Sequence, residues 1–157
     1  MWHHEQQVLK LSDDRGRVKW SHDELLELAG KLENVNVEAD FHVIDSNKTG
    51  RFYQNKYMDY KEVLEKLKVT KAVVEIAQSG QNGLTARALE AMFFKTKLIT
   101  NNLAIKKCEF YKKENIFVIG DNEGELDEFL ESSIVDIEEE NIYPYSAQGW
   151  IENFEEE

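Results

Sequence analysis

The chain has 157 residues, of which 41% are hydrophobic and 11% aromatic. That excludes a disordered tail and suffices for one domain with an ordinary core. The net charge of −12 is uneven: residues 114–157 hold 15 acids and neither Lys nor Arg, while the first 113 residues set 19 bases against 16 acids. A mildly basic body of this kind lacks the dense basic face of a nucleic-acid binder, so nucleic acid is not expected as a partner. A small anionic ligand on the body stays open, and the acidic quarter reads as a solvated face that aids solubility. No apolar run approaches the roughly 18 residues of a membrane span, so no transmembrane segment is expected. The polar start, Met1 to Gln7, has no signal-peptide core, and one cysteine, Cys108, cannot form an internal disulfide. Both features predict a cytoplasmic location.

In chain order, Val8-Leu9-Lys10-Leu11 reads as a short strand, followed by a polar loop, Ser12 to Arg17, that carries Arg15 and Arg17. Ser21 opens a helix with Glu24 three residues on as a capping box. Leu25, Leu28 and Leu32 form its buried stripe, with Leu26 and Ala29 beside them. Phe41 to Ile44 is the next strand, and Asp45 to Gly50 a turn-rich loop. Asp59 caps a helix that buries Val63, Leu64 and Leu67. Lys71 to Ile76 is a near-continuous apolar run, the mark of a parallel strand buried on both faces. A Gly-rich loop leads into a helix from about Thr85 to Phe94, then strands at Lys97–Thr100 and Ile116–Ile119. Leu126, Phe129 and Leu130 mark a short helix, and Tyr145 to Phe154 a last one capped by Ser146. This alternation predicts an α/β fold: βαβ crossovers, a parallel sheet and helices on both faces, with residues 1–157 forming a single domain.

The stretch Gln78-Ser79-Gly80-Gln81-Asn82-Gly83-Leu84-Thr85 joins a strand to a helix. Ligands of open α/β sheets sit beyond the carboxyl ends of strands, where a helix start offers free N–H groups and its positive dipole end. Gly80 and Gly83 let a backbone approach a phosphate closely, and Thr85 adds a hydroxyl. The same residues also read as an ordinary turn with a threonine cap. The loop is neither a Walker A sequence nor a GxGxxG fingerprint, which argues against an NTPase or an ordinary dehydrogenase. Arg87, one turn into the helix, faces phosphate or pairs with a surface carboxylate. His42 reads as a hydrogen-bonded strand residue, His22 as helix surface, and His3 and His4 as terminal. Asp121, Glu123, Glu125 and Asp127 suggest calcium, but Leu126 stands where the calcium loop needs glycine. No His/Cys cluster has zinc spacing, and Cys108 reads as an inert thiol.

Gly83-Leu84-Thr85-Ala86-Arg87-Ala88-Leu89-Glu90-Ala91-Met92, followed by Lys97 to Asn102, resembles the C-terminal half of GT-B glycosyltransferases. The nearer resemblance is to bacterial enzymes of lipopolysaccharide and exopolysaccharide biosynthesis. It extends to Ser79-Gly80, Phe110-Tyr111, Asn115-Ile116-Phe117, Tyr145-Ser146 and Trp150-Ile151, and covers the chain from about Asp14 onward. The resemblance implies a single Rossmann-like domain that binds a nucleotide-diphosphate sugar as donor substrate, without a metal or other cofactor. In that reading Glu90 receives the ribose hydroxyls, the N–H groups near Gly83, Leu84 and Thr85 hold the diphosphate, and Arg15 or Arg17 supports it with a bidentate fork. Asn82 stands eight positions before Glu90, where many retaining members carry a second glutamate. The resemblance further implies an N-terminal acceptor domain that this chain does not include. The chain alone is then expected to bind donor without transferring it, and peripheral association with the inner membrane face stays open. The other expectation is an interaction module that kept the fold and lost the chemistry.

Overall fold

The computed structural model of the chain describes residues 7–12, 22–44, 48–77, 83–121 and 125–155, with residues 7–12 described by backbone alone. Six strands form one parallel sheet: β1 (Gln7–Ser12), β2 (Glu38–Ile44), β3 (Tyr53–Gln54), β4 (Ala72–Glu75), β5 (Lys97–Thr100) and β6 (Ile116–Val118). Their order in the sheet is β3-β2-β1-β4-β5-β6, with every pairing parallel. This is the doubly wound Rossmann-like arrangement, in which the chain winds outward from β1 in one direction and from β4 in the other. The α/β expectation therefore holds.

Helices cover both faces. α1 (His22–Asn34) and α4 (Leu126–Glu131) lie on one, where Leu25, Leu28, Leu32, Phe129 and Leu130 pack with Phe41, Val74 and Ile99. α2 (Tyr60–Val69) and α3 (Ala86–Phe93) lie on the other. Val63 and Leu67 of α2 meet Val73 there, and Ala88, Ala91 and Met92 of α3 meet Leu98, Ile116 and Val118. β4 and β5 are buried at every position, as a parallel strand covered twice must be. The period-2 alternation decides who faces whom: Ala72 and Val74 belong to the α1 side, Val73 to the α2 side.

α1 and α3 both end in Schellman turns. Val37 N–H bonds Leu32 O and Asn36 N–H bonds Glu33 O; Thr96 N–H bonds Ala91 O and Lys95 N–H bonds Met92 O. The left-handed residues are Asn36 (φ 56°) and Lys95 (φ 51°), neither of them glycine.

Three details differ from expectation. Ser12, expected to open the polar loop, is instead the last residue of β1 and pairs with Val43. β3, only two residues long, was not legible within the polar run after Ile44. Leu26, expected beside the buried stripe, is exposed because it falls on the outer face of α1. Ser21, the expected cap of α1, lies outside the described residues. The last stretch contains a short α5 (Glu139–Ile142), a 3-10 turn at Tyr143–Tyr145 and α6 (Ala147–Glu155). Ser146 accepts from Gly149 N–H as the cap of α6 at 3.0 Å. Tyr145 stands edge-on to buried Phe110, with ring centroids 5.1 Å apart, and ties this stretch to the α3 side.

Candidate functional site

The strand order reverses between β1 and β4, which are neighbours in the sheet but run into connections on opposite faces. Such a switch point opens a crevice at the carboxyl ends of the two strands. The two segments expected to bind anions are the ones that follow these strands in the chain. Arg15 and Arg17 come after β1, and the Gly80-to-Thr85 loop comes after β4. Arg15, Arg17, Gly80 and Asn82 lie outside the described residues; Gly83, Leu84, Thr85, Arg87 and Glu90 lie within them.

A buried polar network holds the base of the loop. Glu75, the last residue of β4, is 6% exposed. One of its carboxyl oxygens accepts the Thr85 hydroxyl; the other accepts the Thr100 hydroxyl at 3.2 Å. Thr100 Oγ1 in turn accepts Asn102 N–H at 3.1 Å, and the Asn102 side chain donates to Gly83 O at 3.3 Å. Asn101 clamps Ala77 from both sides, receiving its N–H at 2.7 Å and donating to its carbonyl at 3.2 Å. Asn101 and Asn102 thus fix the chain just before and just after residues 78–82. Burying so many polar groups is tolerable because each is paired.

Thr85 is the cap of α3: its oxygen accepts Ala88 N–H at 3.2 Å while its proton goes to Glu75. The hydroxyl is therefore spent within the protein, and an anion in the crevice would meet backbone N–H groups instead. Helix geometry leaves the amides of Ala86 and Arg87 without intrahelical partners. Arg87 pairs with Glu90 one turn on, with side chains 21% and 13% exposed, so the carboxylate-pairing reading of Arg87 describes this structure. The other oxygen of Glu90 accepts the Tyr60 hydroxyl at 3.3 Å across the gap between α3 and α2. The Glu90 charge beside it holds the Tyr60 phenol above its ordinary value, so it remains a donor.

Of the remaining candidates, His3, His4 and Glu123 lie outside the described residues, and His42 and Cys108 are structural. His42 Nε2 lies 2.7 Å from Asp40, whose other oxygen accepts Lys66 at 2.7 Å. Burial pulls the Asp40 carboxyl up, but Lys66 and His42 outweigh it and leave it below the usual range. The Cys108 thiol is pushed up by burial and by the charge of Glu109, which makes it a poor nucleophile. Among the described residues no group of three His, Cys, Asp or Glu is placed to hold a metal, and no helix is long and apolar enough to cross a membrane. An apolar cavity of about 100 Å³ lies elsewhere, between Met92, Leu98, Phe110, Ile116 and Val135.

Sequence reasoning missed Glu75, Thr100, Asn101, Asn102 and Tyr60 as parts of this edge. A carboxylate closing an otherwise apolar strand is the signal that could have found Glu75. No protein-family model, curated protein or solved structure matches this chain.

Proposed function

We propose that this chain binds a nucleoside diphosphate in the crevice beyond β1 and β4, as the nucleotide-sugar donor domain of a GT-B-type glycosyltransferase that builds cell-surface polysaccharide. The observation that carries the reading is the coincidence of the two anion-suited segments with the two strands that flank the switch point. The start of α3 offers amides and a positive dipole end to the diphosphate. In such a domain, those fixed dipoles stabilise charge on the departing diphosphate as the sugar–oxygen bond breaks. The transferase identity, and polysaccharide as the product, rest on the resemblance of Gly83 to Asn102 to that family. Glu75 and Glu90 are both engaged by neighbours, so the proposal assigns them no role in taking a proton from an acceptor.

A second reading, an interaction module without nucleotide affinity, is favoured by the self-satisfied Thr85 hydroxyl and Arg87–Glu90 pair. Calorimetric titration with uridine, guanosine and cytidine diphosphate sugars separates the two. Saturable one-to-one binding of at least one supports the donor domain; no binding of any supports the module.

A further inference from the structure

Tyr60 is the first residue of α2 and shares one face of it with Val63, Leu64 and Leu67. Burial falls along that face toward the carboxyl edge of the sheet: Leu67 is 1% exposed, Val63 6% and Tyr60 61%. The apolar stripe of α2 thus ends, at the carboxyl edge of the sheet, in an aromatic residue left largely exposed. The ring is not loose, because its hydroxyl is held by Glu90 on α3. An exposed aromatic face tethered beside the carboxylate expected at a ribose is the geometry a stacked base uses. We propose that Tyr60 is the platform on which the base of the nucleotide stacks, with its ribose directed to Glu90. This inference rests on the nucleotide reading above and adds the residue that meets the base.

The test is calorimetric titration of the full chain and its Tyr60→Ala, Tyr60→Phe and Tyr60→Trp variants with uridine, adenosine and guanosine diphosphates and with inorganic pyrophosphate. Tyr60→Ala should weaken the nucleoside diphosphates by about 5- to 150-fold, the range for losing one base stacked on a ring. Pyrophosphate binding should stay unchanged, and the Phe and Trp variants should stay close to the parent protein because they keep an aromatic face. Equal nucleotide affinity in the parent and Tyr60→Ala overturns the inference and leaves the nucleotide reading standing. A parallel loss of pyrophosphate binding also overturns it, by showing that Tyr60 acts through α2. A parent protein that binds neither probe overturns the nucleotide reading itself. Far-UV circular dichroism checks that each variant is folded.

Discussion

Thr85 gives its hydroxyl proton to Glu75, joining the cap of α3 to the last residue of β4. One side chain therefore does two things: it satisfies the amide of Ala88, and it pairs a carboxyl that has almost no access to water. Thr85→Ala removes both. Losing the cap costs about 1 kcal/mol, and leaving a buried acceptor short of a donor adds about 1–3 kcal/mol. Urea denaturation should report a loss of roughly 2–4 kcal/mol with unchanged m-value, while Thr85→Ser keeps most of the stability. A loss below about 0.5 kcal/mol, the level of an ordinary surface change, would mean that the network is not carrying the loop.

Glu90 is expected to serve the ribose, yet it is already held by Arg87 and Tyr60. Glu90→Gln should weaken nucleoside diphosphates by about 1.5–3 kcal/mol, the range for hydrogen bonds to a charged group. Inorganic pyrophosphate should bind as before, because it has no ribose. If pyrophosphate weakens in step, Glu90 acts by positioning Arg87 and α3 rather than by touching the sugar.

Lys97 begins β5 at only 4% exposure, on the α4 side. Its ammonium donates to Phe129 O and, at 2.7 Å, to Ser132 Oγ, closing the C-terminal end of α4, and lies 4.5 Å from the centre of the Phe129 ring. Burial, with help from the charge of Lys71, lowers its pKa to about 8. Its unfolded value is about 10.4, so between these pH values the unfolded chain holds more protons than the folded one. The stability contributed by this group therefore rises with pH across that window, by an amount on the order of 3 kcal/mol. Lys97→Met should flatten the difference. Ser132 Oγ still donates to Phe129 O at 2.9 Å, so the helix end keeps a partner. Denaturation at pH 7.5 and pH 9.5 for both proteins checks this; parallel slopes would show that Lys97 titrates normally.

How much of this was legible depended on how many neighbours a residue's role requires. The ends of Lys97–Thr100 are legible because the apolar pair Leu98-Ile99 sits between a helix stop and the polar turn at Asn101-Asn102. Leu25, Leu28 and Leu32 were legible for the same reason: helical period alone puts them on one face. β3 was not, since Tyr53 and Gln54 are a strand only by virtue of pairing with Val43 and Ile44. The candidate loop was located by its glycines and by the strand before it, whereas the residues that hold its base come from β5 and the turn after it. Asn101 and Asn102 are ordinary turn residues in sequence; only the β4–β5 register puts them against Ala77 and Gly83. Charge asymmetry was legible as composition. The described acids beyond Glu114 are exposed as expected, and three of them reach back to the basic body through Lys95–Asp136, Lys106–Asp121 and Lys112–Glu138. Exposed pairs of this kind add little stability.

Amide chemical-shift mapping with uridine diphosphate is the most direct test of a diphosphate site in the crevice beyond β1 and β4. The shifts should concentrate in two segments, the residues immediately after Ser12 and those from Ala77 through Arg87, and saturate together with one affinity. Shifts centred elsewhere, such as along β6 and α4, or no saturable shifts with any nucleoside diphosphate, would contradict it.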